Sequence, residues 1–268
     1  MSRRPKKQIP LIPTTNAWPA IDRLTPEAGI DVTVCPTWYA AGKVLIDYVL
    51  AILLLPIALP LIALAALAVK STSPGPVFYT QTRVGLNGQK YRMFKIRTMH
   101  HNCELISGIK WAGKNDPRVS RVGRVLRVTH FDELPQLFNV LLGQMSLVGP
   151  RPERPEVIQA KGLEHLVPGY KYRLLVKPGV TGLAQLQLPA DSDITSVRYK
   201  VVYDLYYVQN QTLLLDLRLL FATLFKAAGG GPKAIRRIFF LPRREAVEEV
   251  FQRNLTPDCP SLTQLQPA

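Results

Sequence analysis

Between Asp47 and Lys70 the chain reads YVLAILLLPIALPLIALAALAV, residues 48–69, without a single charge. As a helix this run would be about 33 Å long, enough to cross the hydrocarbon core of a bilayer. Length alone fits one spanning helix. Two features point elsewhere. Pro56 and Pro60 sit in the middle, where each removes a backbone hydrogen bond and favours a kink. Cations also flank both ends: Lys43 and a basic tail before, then Lys70, Arg83, Lys90, Arg92, Lys95 and Arg97, with no Asp or Glu in residues 71–99. One crossing cannot put both flanks on the cytoplasmic side. A helix over residues 41–71, broken at Pro56 and entering and leaving by the same face, does so, with Asp47 at the interface. The reading favoured here is re-entrant.

The rest of the chain is polar and basic. Lys and Arg outnumber Asp and Glu by 34 to 19, giving a net charge of +15 and an expectation of an anionic partner: nucleic acid, acidic lipid or a phosphorylated substrate. Three scattered cysteines, Cys35, Cys103 and Cys259, form no CxxC pair and fit a reducing compartment. His100, His101 and Cys103 are too close together to converge on one ion and read as a surface turn. Residues 1–40 read as a disordered basic, Pro-rich tail, and the apolar run lies too far along to be a signal peptide. Residues 229–268 read as a C-terminal basic extension ending in a loose tail.

Between these, residues 72–228 carry the features of a folded body. Ser73-Pro74-Gly75-Pro76 is a turn leading off the membrane. Val77–Gln81 and Tyr91–Ile96 read as a hairpin across the Gly85–Gly88 turn. Residues 116–127 are rich in arginine and read either as a solvated or lipid-docked basic face or as a phosphate-binding wall. Gly149-Pro150-Arg151-Pro152 is stiff and would present a guanidinium for bidentate phosphate contact. Lys177-Pro178-Gly179-Val180-Thr181-Gly182 reads as a plain turn or, less simply, a phosphate cradle. Residues 211–228 form an amphipathic helix suited to the bilayer interface.

Asp132 and Glu133 stand side by side before an apolar run whose Leu134, Leu137, Phe138, Leu141 and Leu142 fall at helical spacing. The ordinary reading makes Asp132 the N-cap, Glu133 a first-turn acid, Pro135 an early helical residue and Gly143 the C-terminal cap. Arginines before and after the pair, and a membrane helix upstream, favour a phosphate ester handled at a membrane surface with a divalent cation. One helix end could serve as both cap and nucleophile.

The residues from about Lys43 to Thr223 resemble the bacterial sugar transferase family, the monotopic phosphoglycosyl transferases. Five ordered segments carry the resemblance: Ser73–Phe78, Lys95–Met99, Asp132–Val140, Met145–Pro152 and Lys177–Gly182. The resemblance implies a helix-rich α+β fold, with a broken re-entrant membrane helix, a small β-hairpin and interfacial amphipathic helices around a cytoplasmic-face active site. It implies transfer of a sugar-1-phosphate from a UDP-sugar to a polyprenyl phosphate with release of UMP, as an early membrane step of glycan synthesis. Asp132 would be the nucleophile and a ligand of the required Mg²⁺, Glu133 its partner, and Arg127, Arg151, Lys95 and Asp204 substrate-binding residues. The protein would then be monotopic in the bacterial inner membrane, in contact with anionic lipids, with a homo-oligomer left open. Larger members carry a multi-span N-terminal domain, so this chain resembles the minimal form. It departs from the family pattern at Leu55-Pro56, Gln144 and Leu183. A basic membrane-tethered scaffold or nucleic-acid binder is the alternative, without a nucleic-acid-binding signature to support it; direct transfer without a covalent intermediate is another.

Overall fold

The computed structural model describes Val32 and residues 37–103, 116–191 and 193–253, so the expected tails lie largely outside the described residues. The apolar run forms the heart of α1, Thr37–Thr72, whose helical hydrogen bonding continues through Pro56 and Pro60 rather than being interrupted at Pro56. Among the described residues it is the one helix long and apolar enough to cross a membrane. Its packing is uneven. Tyr39, Asp47 and Ala51 are buried near one end, and Ile62, Ala65 and Val69 near the other. The buried face runs on between them through Ala58, at 3% exposure, while Leu45, Ile52, Leu53, Ile57, Leu64 and Leu67 stand exposed on the other side.

Both ends of α1 are fastened to the same body. Near the start, Lys43 Nζ lies 2.6 Å from Asp216 Oδ2, which Tyr39 also reaches at 3.0 Å, and Asp47 Oδ1 accepts from the Leu147 amide at 3.2 Å. Just past the other end, buried Arg97 donates to the carbonyls of Ser73, at 2.9 Å, and Pro74. These bonds satisfy carbonyls of the turn that leads off the helix and tie that turn to the end of the hairpin's second strand.

The hairpin forms as expected, with slightly longer strands. β1 (Phe78–Val84) pairs antiparallel with β2 (Lys90–Ile96), Phe78 opposite Ile96 and Val84 opposite Lys90. Asn87, at φ 51°, and Gly88, at φ 73°, supply the left-handed residues that the connecting turn requires. After α2 (Arg121–Thr129), His130 is left-handed at φ 60° and turns the chain into a 3₁₀ segment, Phe131–Glu133. α3 begins only at Gln136 and ends at Leu141, followed by Gly143 at φ 71°. The expected helix cap at Asp132 is therefore corrected: Pro135 is the N-cap, and no side chain caps the start. The left-handed His130 and the tight 3₁₀ turn separate the acids from the helix proper.

A second, two-stranded sheet went unread in the sequence. β3 (Ser146–Val148) runs parallel to β4 (Gly179–Thr181), so the Gly-rich stretch is a strand rather than a turn. Its glycines serve close approach: a Cβ on Gly179 would sit 2.0 Å from the Gly149 nitrogen. Neighbouring elements are α4 (Pro155–Lys161), α5 (Leu163–Leu166) and α6 (Leu183–Gln187). The long α7 (Ile194–Asn210) carries Tyr203, Tyr207 and Val208 into the core, and α8 (Leu213–Ala227) follows it. The expected basic extension is folded from 232 to 253. α9 (Pro232–Ile238), α10 (Arg244–Arg253) and their connection bury Ile235, Leu241, Val247 and Phe251 in the common core.

Asn139 joins helix, strand and loop. Fully buried, it accepts from the Phe94 amide at 2.9 Å and donates to the Arg92 carbonyl and Gln144 Oε1, each at 2.7 Å. An edge of β2 is thereby satisfied by a side chain. Removing it leaves a part-buried amide and carbonyl without their partner, and each such loss costs about 1–2 kcal/mol. Asn139→Ala should therefore lower stability by about 2–4 kcal/mol, read from the thermal midpoint of the detergent-solubilised protein.

Candidate active site

The 3₁₀ segment delivers Asp132 and Glu133 to a pocket of cations, and the two acids meet different fates. Glu133 Oε1 accepts from Lys95 Nζ at 2.7 Å and from Arg151 Nη2 at 2.8 Å. Burial pushes Glu133 up, but Arg151 and Lys95 outweigh it and hold the group well below the usual carboxylate range. Asp132 is 6% exposed, and its Oδ1 has no hydrogen-bond partner. Burial raises its pKa to about 6, against the pull of Lys95 and with a push from Glu133. Glu133 thus fixes the cations while Asp132 keeps an uncommitted oxygen.

Each cation reaches the pair from a different element. Lys95 projects from β2, between strand residues bonded to β1. Burial lowers its pKa, and Glu133 opposes that shift. Arg127 leaves the last turn of α2, where its Nε donates to Thr98 Oγ1 at 2.9 Å, and its charge acts on Asp132. Arg151 follows β3, its backbone flanked by Pro150 and Pro152, and its side chain is one-third exposed, at 34%. The guanidinium expected to await phosphate is therefore already engaged by Glu133, with Gln185 Oε1 at 3.4 Å. It has room to redistribute its donors, since a guanidinium carries five.

Asp204 is placed differently from the other expected residues. It lies in the core, 2% exposed, with Oδ2 2.6 Å from Arg173 Nη2. Arg173 Nη2 in turn donates to the Arg151 carbonyl at 2.8 Å. The structure connects Asp204 to the site through the backbone of Arg151 and does not bring its carboxylate to the acid pair. The expected arginine wall also divides. Arg118 is paired with Asp116 at 2.6 Å, Arg121 and Arg124 are exposed on α2, and Arg127 turns toward the acids.

Three residues of the site went unread in the sequence. His130 terminates α2, and burial lowers its pKa. Gln185, on α6, meets Arg151 through its side chain and Lys226 through its carbonyl, at 2.6 Å. Lys226 arrives from the last turn of α8, and burial followed by the Arg151 charge lowers its pKa. Nothing in a helix read as interfacial signals that Lys226, in its last turn, reaches Gln185 beside Arg151; α8 packing on α6 and β4 brings it there.

The family described as bacterial sugar transferase matches residues 38–230. Among curated proteins, an Aeromonas hydrophila UDP-N-acetylgalactosamine-undecaprenyl-phosphate N-acetylgalactosaminephosphotransferase is 41% identical over 186 residues, covering 69% of this chain and 43% of the relative. An exopolysaccharide production protein of Rhizobium leguminosarum bv. phaseoli is 44% identical over 169 residues, 61% of this chain and 84% of the relative. A Caulobacter vibrioides UDP-glucose:undecaprenyl-phosphate glucose-1-phosphate transferase is 41% identical over 186 residues, 68% of this chain and 67% of the relative. The shared region is thus less than half of the Aeromonas protein and most of the Rhizobium one. The acid pair, Lys95, Arg127 and Arg151 all fall inside the matched span, and the chain belongs to the bacterial sugar transferase family.

Proposed function

We propose that the protein transfers a sugar-1-phosphate from a UDP-sugar to undecaprenyl phosphate, using Asp132 as a covalent nucleophile. The observation that carries this reading is the buried, unpartnered Asp132 Oδ1 beside a Glu133 that absorbs two cations. The named activities of the Aeromonas and Caulobacter relatives support the two substrates. In the first half-reaction Asp132 attacks the phosphorus that carries the sugar. The bond from that phosphorus to the oxygen bridging the two phosphates breaks, and UMP leaves with the electron pair. In the second, a phosphate oxygen of undecaprenyl phosphate attacks the same phosphorus and releases the Asp132 carboxylate. Splitting one transfer in two is the ordinary use of a carboxylate nucleophile. Arg127, Arg151 and Lys95 are placed to hold diphosphate and transferred-group oxygens, and Lys226 adds positive charge.

A divalent cation fits the donor set. Mg²⁺ is commonly held by one or two carboxylates together with substrate phosphates, and Asp132 offers the unengaged oxygen that such a site needs. Among the described residues no cluster of three or more metal-ligating side chains exists, so the remaining ligands would come from substrate and water. When bound, Mg²⁺ would neutralise charge on the diphosphate.

The membrane reading is supported by the packing of α1: both ends are fastened to the same body, and the face turned away from it is an apolar stripe that includes Leu45, Ile52, Leu53, Ile57, Leu64 and Leu67. A kink at Pro56 and Pro60 would let such a helix dip into one leaflet and return, leaving the active site at the cytoplasmic face. Exposed Leu214, Leu217, Phe221 and Leu224 on α8 would lie in the interface beside it. Thiols introduced at residues 38 and 72 should both resist impermeant reagents added outside intact cells. Labelling of residue 38 from outside would establish a spanning helix instead.

Covalent chemistry has its own test. Incubation with a UDP-sugar labelled in the sugar, without acceptor, should release UMP and leave label on the protein, and Asp132→Asn should do neither. UMP release that depends wholly on acceptor, with no labelled protein, would favour direct transfer. Because the nucleophile must be ionised, kcat/KM should fall as pH drops through about 6, the raised pKa of Asp132.

Stability should move the other way. The folded pKa lies above the ordinary 3.8, so ionising Asp132 in place opposes folding at neutral pH and costs nothing once both states are protonated. Asp132→Asn should therefore raise the thermal midpoint above pH 6, a gain of about 1–3 kcal/mol that vanishes below about pH 4. An unchanged midpoint at pH 7.5 would contradict the uncompensated burial described for Asp132.

A further inference from the structure

We infer that residues 231–241, beyond the span matched by the family, form a second membrane contact: a wedge of Ile238 and Phe240 set among cations that pair with anionic headgroups. The inference rests on the membrane association proposed above. Phe240 is its centre. The side chain is 78% exposed, and its backbone is left-handed at φ 50°. A bulky residue in that conformation is strained, and here no burial of the ring offsets the strain. Such a residue gains only if something apolar meets it outside the protein.

The surrounding helix presents the same chemistry. α9 buries Ile235 completely and turns Lys233, Ala234, Arg237 and Ile238 outward. Two apolar side chains bordered by long cations suit the headgroup level of a bilayer, where stems lie along acyl carbon and charges reach phosphate. Around the wedge, Arg218, Lys233, Arg236, Arg237 and Arg243 bring five cations, and residues 217–244 contain no acid. Charge complementarity thus favours an anionic surface.

Continuity fixes which surface. The exposed stripe Leu214, Leu217, Phe221, Leu224 and Phe225 runs along α8, which begins where Lys43 of α1 meets Asp216. At its far end the Phe225 ring meets Phe239 edge-on, with centroids 5.9 Å apart. From there the chain passes directly to Phe240. An apolar track therefore leads from the base of the membrane helix to the wedge, and one bilayer can cover it all.

The test uses the full chain, with Cys35, Cys103 and Cys259 replaced by serine, in vesicles of phosphatidylglycerol and phosphatidylethanolamine. The fluorophore NBD is attached singly at Phe240→Cys, at Leu54→Cys in the exposed part of α1, and at Glu245→Cys on α10. Nitroxide-labelled lipid should quench NBD at 240 and 54 but not at 245. Adding Lys233→Gln and Arg237→Gln should reduce quenching at 240 and leave 54 unchanged. Quenching at 54 with water-like emission at 240 overturns the wedge alone, whereas loss at both sites sinks the membrane reading as well. Blue-shifted but unquenched emission at 240 would mean a protein neighbour, which also overturns it.

Discussion

The site depends on one carboxylate accepting two cations. Glu133 takes Lys95 and Arg151 on a single oxygen, and that bond pattern leaves Asp132 buried and unengaged next door. If Asp132 held the cations instead, it would be a quiet structural ion pair with a low pKa. The 3₁₀ geometry of Phe131–Glu133 separates the roles, because adjacent side chains on so tight a turn leave in different directions. The rest of the architecture can be read as scaffolding for this division. β2 brings Lys95, the proline-flanked strand end brings Arg151, and Arg173 ties the Arg151 backbone to Asp204 in the core.

The chain's outline was legible before any coordinates. Tyr91–Ile96 announced a strand by composition, Gly143 a helix end, and the 48–69 run one long apolar helix, because each depends on local chemistry. The parallel pairing of Ser146–Val148 with Gly179–Thr181 was not legible. Three-residue strands carry no periodicity, and their partners lie far apart in sequence. Five of the six expected site residues converge, since buried charges of opposite sign draw one another together. Asp204 looked similar on paper but is committed to Arg173, a partner no spacing rule connects to it. Lys226 and Gln185 show the reverse: their sequence context suggested nothing, and helix packing delivered them.

The start of α3 differs from its sequence pattern for an instructive reason. Its apolar positions predict a longer helix starting at Asp132, and the pattern fits that register. His130 and Pro135 override it, one by turning the chain left-handed and the other by withholding an amide. Local conformation at two residues thus outweighed a five-residue periodicity, and the acids were left free of capping duty. Where a sequence rule fails beside a charged pair, the failure itself carries information.

Contact between α1 and the 3₁₀ turn of the acid pair has a practical side. α1 packs against Phe131–Glu133, α2 and α3, so the membrane helix is a wall of the site rather than a leash. Trimming it away would not yield a smaller soluble enzyme but an open core. A water-soluble form would instead keep Ala51, Ile62, Ala65 and Val69, which face the protein, and exchange outward residues such as Leu45, Leu53, Leu64 and Leu67 for polar ones. The inner and outer faces of this one helix obey different solvents, and only the outer one is negotiable.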